Sequence, residues 1–320
     1  MHLEPVLMLP AYRFGKETPW GGDKLRRLYF KYAQAERVGC SLEVSTLPDY
    51  QSTSPDGRTL TDLIKEYGVD LLGTKLNGAF PFLIQLIDAC GDLDIHVHPA
   101  KKYTPEDGSV SDSSEGLVIL HADKNARVIY GLEKDESIES LEQKIASGEN
   151  VTHLFQEIPI HPGEAFSIPG GVPHAIGHGV LLYAINSSGT PAFRLCKRKQ
   201  PESHGRIRPL ETEKALHEMK QCSYTSHHLL SPNNEQADPL CSPIISTQCF
   251  TVKRIRHAQA LRFSENAQRF SVLTCLFPAE IKLESGKMLY LASGQTLLIP
   301  AMTCPFTLTC AQALLAEPEV

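Results

Sequence analysis

Pro162-Gly163-Glu164-Ala165-Phe166-Ser167-Ile168-Pro169 and Ser293-Gly294-Gln295-Thr296-Leu297-Leu298-Ile299-Pro300 follow one pattern. Each has a glycine and a polar residue leading into a short apolar run that ends in Ile-Pro. That is a turn feeding a short strand, with the prolines limiting how far pairing can run. A duplication changes the fold, and this echo predicts two related barrels. The competing reading is a chance recurrence of a common turn and strand.

Outward from these segments, short runs rich in Val, Ile, Leu and Phe recur between turn signals. They include FPFLIQLIDA (80–89), LDIHVHP (93–99), GLVIL (116–120), ARVIY (126–130) and GVLLYAI (179–185), and the chain reads as mainly β. Helical spacing is confined to Leu60, Leu63, Ile64 and Tyr67, to Ile138, Leu141 and Ile145, and to PLETEKALHEMKQC (209–222). The second of these has Asp135, Glu136 and Glu139 at its start and Lys144 and Gly148 at its end, matching dipole and C-cap preferences. The polar, proline-bearing stretch SPNNEQADPLCSP (231–243) reads as a linker. The expected division is residues 1–205, a helical segment and linker over 206–245, and a C-terminal barrel over 246–320.

The 320 residues, 42% of them hydrophobic, are enough for a sizeable core. A formal charge of -6 exerts no global attraction on nucleic acid or anionic membranes, so an anionic ligand must be held by a local basic cluster. The opening MHLEPVLMLPAYRFGKETPW has too short an apolar stretch, broken by Pro5 and Pro10, to read as a secretion signal or a membrane span. The cysteines are nine in number, scattered and without a Cys-x-x-Cys pair, which reads as reduced, mostly buried thiols in a cytoplasmic protein.

Asp92-Leu93-Asp94-Ile95-His96-Val97-His98-Pro99 alternates as a strand does. His96 and His98 therefore point to one face, roughly 7 Å apart along it, and can converge on one ion. Imidazole suits zinc and its first-row neighbours. A lone His-x-His also fits two solvated histidines. Glu115 at the start of the next apolar strand, and His174 just past Ile168-Pro169-Gly170-Gly171-Val172-Pro173, extend the pair to three or four N and O ligands. At the offset of the repeat, Pro305 replaces His174, so one metal site per chain is expected, in the N-terminal barrel.

Pro19-Trp20-Gly21-Gly22, the His-Val-His-Pro strand, Glu115, the 126–131 stretch ending Ile-Tyr-Gly, the Pro-Gly turn and His174-Ala175-Ile176-Gly177 stand in one order. In this order and spacing the chain resembles mannose-6-phosphate isomerases of the short, bacterial form. The likeness covers most of the first 200 residues and, more loosely, the C-terminal barrel.

The resemblance implies two cupin-type (jelly-roll) barrels with a small helical section and one Zn2+ per chain, another divalent ion also fitting. It implies interconversion of mannose 6-phosphate and fructose 6-phosphate through an enediol. It also implies a small-molecule sugar phosphate as partner, with no nucleic acid and no membrane, in a monomer or homodimer. By position His98, Glu115 and His174 match the family's metal ligands. His96, where the family carries Gln or Lys, is the candidate fourth ligand. Arg194 matches the arginine placed over the substrate near the metal. Together with the metal it would steady the charge that develops during isomerisation.

Four changes, at five positions, depart from the family pattern. Ala184 and Thr190 replace a glutamate and an aspartate before the arginine, Ser113 replaces a phosphate-binding lysine, and Cys196-Lys197 replaces Tyr-Asp. Arg194, Lys197, Arg198 and Lys199 crowd four cations into six residues. On a strand, Arg194 and Arg198 would share a face and clamp a phosphate, with Lys197 beside them; the other reading is a solvated basic loop. His121 and His178 are candidate replacement bases or plain surface residues. Trp20 and Tyr12 are candidates for a sugar pocket or for packing. The second functional class is a non-catalytic, sugar-phosphate-binding regulatory cupin that kept the metal site.

Overall fold

The computed structural model describes residues 2–76, 78–103, 110–187, 191–198, 209–222, 229–230 and 240–319. Thr190 and Lys199, and most of the expected linker, lie outside the described residues.

Two sheets form the N-terminal barrel. One runs in the order Leu229–Leu230, Ala165–Pro169, Ser114–Ala122, Val180–Ser187, Phe82–Ala89, Val38–Val44, Ala11–Phe14. The other runs Phe155–Pro159, Arg127–Leu132, His174–Ile176, Ile95–Val97, Phe193–Cys196. Between them Leu42, Leu117, Ile119, Phe166, Leu182 and Ala184 of the first sheet meet Val128, Tyr130 and Ile176 of the second. A third, eight-stranded sheet forms the C-terminal barrel around Phe250–Phe263 and Phe306–Pro318.

The outer face of the first sheet is apolar as well. Val44, Ile84, Leu86, Tyr183 and Ile185 pack against Phe250, Val252, Val272, Leu298 and Leu314 of the C-terminal sheet. This explains why the run 180–187 shows no alternation: all eight residues are buried, one set inside the barrel and the other between barrels. At the centre of that contact lies a polar group. Lys31 Nζ is 2.8 Å from Glu43 Oε2, and both side chains are almost fully buried. Ser41 Oγ and Thr296 Oγ1 donate to the same carboxylate at 2.6 and 3.0 Å.

The echo that predicts two barrels has one structural meaning in both copies. Gly163 and Gly294 take left-handed backbone, with φ of 94° and 80°. Gly163 N donates to Ile119 O at 2.7 Å, and Ile119 N donates back to Glu164 O at 2.9 Å. Gly294 N donates to Cys275 O at 2.6 Å, and Cys275 N returns the bond to Gln295 O at 2.9 Å. A Cβ at either position would oppose that backbone.

The predicted helices form at Leu60–Tyr67, Ile138–Ala146 and Thr212–Gln221. Thr59 and Asp62 build a reciprocal capping box on the first, and Ser137 caps the second. Two details differ from the expected division. Val6–Met8 pairs with Thr296–Ile299, so the start of the chain closes an edge of the C-terminal sheet that would otherwise expose unpaired backbone. Cys241–Ser246, expected within the linker, is a strand of that same sheet. The thiols are free, but only Cys40, Cys275 and Cys310 are fully buried and Cys90 is exposed.

Candidate metal centre

His96 lies in the middle of Ile95–Val97 and pairs in register with His174, the first residue of the neighbouring strand. Glu115 comes from the opposing sheet, where it pairs with Ile168 on one side and Asn186 on the other. His98 follows the end of its strand by one residue. One ligand atom from each of the four residues lies within 4.8 Å of every other, so the group can hold a metal ion between the two sheets.

Each imidazole is oriented by a backbone carbonyl. Nδ1 of His96 is 3.1 Å from Asp94 O, Nδ1 of His98 is 2.9 Å from Pro191 O, and Nδ1 of His174 is 2.9 Å from Val172 O. A carbonyl only accepts, so Nδ1 carries the hydrogen in all three rings and Nε2 presents its lone pair. The carboxylate is fixed in the same way, with Asn186 Nδ2 donating to Glu115 Oε1 at 2.8 Å.

The free ends of these groups face one another. Glu115 Oε2 is 2.7 Å from His174 Nε2 and 3.5 Å from His98 Nε2. Glu115 Oε2 and His174 Nε2 are both buried without a hydrogen-bond partner. Two lone pairs at such a distance repel unless a cation lies between them, and this fits the four residues to a metal.

Two of the three shifted protonation states agree with this. Burial pushes His96 well below the usual imidazole range, and the neighbouring His174 and His98 add to it. Burial alone would raise Glu115, but His174 and His98 outweigh it and hold its carboxyl well below the usual range. Burial likewise opposes charge on His98, yet the Glu115 carboxylate prevails and raises it. Neutral His96 and ionised Glu115 are the metal-binding forms.

Both arginines expected to clamp a phosphate are held by carboxylates. Arg194 pairs in register with His96 and so lies on the same sheet face, but its guanidinium is bonded to the Asp94 carboxylate. Arg198 contacts Asp92 Oδ1 at 3.5 Å and Glu157 Oε1 at 3.3 Å, and its backbone N–H is 3.0 Å from Asp94 Oδ1. With exposed Lys197 it lines a cleft beside Glu133, Glu149, Asn150 and His153. Each arginine is thus neutralised by carboxylates of neighbouring segments.

His121 lies near the end of its strand away from Glu115, paired with Asp123, and His178 lies in the turn after His174–Ile176, paired with Asp92. Neither belongs to the four-residue group. Trp20 and Tyr12 pack against the hydrophobic cores.

Ala184 is fully buried among apolar residues inside the barrel. Ser113 is 2% exposed and its role is structural, because its hydroxyl is bonded to Pro99 O and ties the turn after His98 to the strand of Glu115. Gly170 N in turn donates to Ser113 O at 2.9 Å. A Cβ on Gly170 would overlap the Pro99 carbonyl oxygen and come 2.6 Å from Ser113 Oγ and 2.8 Å from Ala100 Cα. Gly170→Ala is therefore expected to destabilise the fold by roughly 1–3 kcal/mol in urea unfolding. It should also weaken metal retention on dialysis, since the turn connects three ligand-bearing segments. Unchanged values on both counts would remove Gly170 from this role.

Asn186 and Asp94 escaped sequence reasoning, although both left a signal. Asn186 is polar on the inward face of an apolar strand, two residues beyond Ala184, and Asp94 precedes His96 by two on the metal face.

The chain matches no family model. It is 31% identical over 201 residues to a mannose-6-phosphate isomerase of Streptococcus mutans, a match covering 62% of this chain and 63% of that protein. With the mannose-6-phosphate isomerase ManA of Bacillus subtilis it is 27% identical over 308 residues, 94% of each chain. The crystal structure of the mannose 6-phosphate isomerase from Bacillus subtilis superposes with a TM-score of 0.81 over 98% of this chain and 99% of the other, at 23% identity. The chain is a homologue of the mannose-6-phosphate isomerases and has their fold.

Proposed function

We propose that the protein is a metal-dependent isomerase interconverting mannose 6-phosphate and fructose 6-phosphate. The observation that carries this is the paired orphan atoms, Glu115 Oε2 and His174 Nε2, set among four donors in a chain aligned along 94% of its length with an enzyme of that name. One zinc ion per chain suits the imidazole and carboxylate donors, and other first-row divalent ions suit them too. Such an ion would supply Lewis-acid polarisation of the sugar oxygens at the reacting carbons.

The chain's own part is to hold those donors rigid and to exclude water. The carbonyls of Asp94, Pro191 and Val172 keep each Nε2 aimed inward, and Asn186 keeps the carboxylate turned. Arg194, on the face of His96, is assigned to the negative charge that grows on the sugar oxygens as the enediol forms. Nine free cysteines fit the cytoplasm, and no described helix is long and apolar enough to cross a membrane. The assembly proposed is a monomer or homodimer.

The test is a coupled assay on protein of measured metal content. Turnover of mannose 6-phosphate is expected with metal, loss of it on chelation, and return on adding zinc. A metal-loaded protein without turnover would sink the proposal.

A further inference from the structure

Three of the four metal-binding residues are fixed by strand register; His98 is not. Its strand ends at Val97, so the backbone of His98, Pro99 and Ala100 must be held by other means. Its polar groups have these partners. His98 O accepts from Gly171 N at 2.8 Å, and Ala100 O accepts from Ser113 N at 3.3 Å. Pro99 O accepts from the Ser113 hydroxyl. Pro99 has no N–H. Ala100 N bonds to Glu218 Oε2 at 2.8 Å.

The first three bonds come from segments that carry Glu115 or lead to His174. The fourth comes from outside the barrel, from the helix Thr212–Gln221. Ala215, Leu216 and Met219 of that helix are buried against Ile95, Val97 and Leu195, the residues that alternate with His96 and Arg194. Its first turn is tied to the strand of Arg194, with Glu211 N on Arg194 O at 2.8 Å and Thr212 Oγ1 on Leu195 O at 2.9 Å. Its last turn touches the segment before His174, since a Cβ on Gly171 would lie 2.5 Å from Cys222 Cβ and 2.9 Å from Glu218 O.

We infer that Glu218 is a positioning residue of the metal centre, holding the His98 turn in place from the helix docked on the back of the sheet. Ala100 is 8% exposed, so without Glu218 its N–H is left unpaired in a buried setting and the turn shifts to find another acceptor. A shift there moves His98 relative to three ligands that the sheets hold still. Outer contacts of this kind change metal affinity without touching the ion. The inference rests on the metal-binding reading given above.

The experiment uses the full chain and cobalt, which suits the same donors and reports its ligand geometry in visible absorption. Glu218→Ala is expected to weaken cobalt and zinc binding by roughly ten- to a hundredfold and to alter the cobalt spectrum. Glu218→Gln keeps an acceptor oxygen at the same reach and should restore both. Lys220→Ala, a change on the same helix as Glu218, removes the 2.6 Å ion pair with Glu142 of the helix Ile138–Ala146 and should leave both unchanged. The inference is overturned if Glu218→Ala binds metal like the parent, or if Lys220→Ala weakens binding equally, which would mean general loosening of the helix. Failure of the parent chain to bind cobalt would overturn the metal reading itself and this inference with it.

Discussion

Replacing Glu115 by glutamine is expected to abolish stoichiometric metal binding and to lower mannose 6-phosphate turnover at least about a hundredfold, ~3 kcal/mol of barrier. The exchange preserves shape and removes charge. More specifically, it puts an amide where Oε2 faces His174 Nε2 at 2.7 Å. With Asn186 donating to Oε1, the new amide nitrogen falls on the Oε2 side and donates to the His174 lone pair. The atom meant for the ion then has a hydrogen bond instead. The metal-free variant should consequently be as thermally stable as the metal-free parent or more so, because two orphaned buried atoms are satisfied. Metal analysis, turnover and melting of both metal-free forms separate these effects. A variant that keeps its metal would refute the site; one that loses metal together with its fold would refute the account of the orphaned pair.

Breaking the buried pair between the barrels should have the largest effect on stability. Lys31→Met leaves the Glu43 carboxylate with only the Ser41 and Thr296 hydroxyls, in a position that is 0% exposed. Loss of one partner of such a pair costs about 3–5 kcal/mol, against a typical total near 5–15 kcal/mol. The surrounding phenols register the Glu43 charge. Burial chiefly, and the carboxylate in addition, push Tyr12 up to about 12 and raise Tyr183 as well. Removing both charges together, by Lys31→Met with Glu43→Leu, should bring stability back near the parent, since neither desolvated charge then remains. Urea unfolding of the two variants gives the comparison. A single variant within about 1 kcal/mol of the parent would mean that water reaches Glu43 after its partner is gone.

The local features of the fold could be read directly. Helix 60–67 follows from the spacing of Leu60, Leu63, Ile64 and Tyr67, a signal complete within eight residues. The turns at Gly163 and Gly294 follow from eight-residue segments whose glycines must take positive φ. The metal group was legible in part for a related reason: alternation predicts one face for His96 and His98, although the strand ends at Val97 and other contacts hold the His98 turn. Ser113 shows the limit. As a sequence position it reads as a missing phosphate contact, whereas its hydroxyl closes the turn behind His98, a role visible only when residues 99, 113 and 170 are brought together. The ion pairs of Arg194 and Arg198 were hidden for the same reason, because their carboxylates, Asp92, Asp94 and Glu157, come from other segments of the chain.

By itself, the sequence pointed to the mainly β character, the two-barrel echo and four candidate metal ligands, whose donor atoms the structure brings within 4.8 Å of one another. The first two depend on backbone period and turn chemistry, which act between near neighbours. The tertiary structure alone decided that Val6–Met8 belongs to the far barrel, that Asn186 turns the Glu115 carboxylate, and that Glu218 reaches the His98 turn. Those contacts join residues distant along the chain, and their energy comes from satisfying buried polar groups that only the packed fold brings face to face.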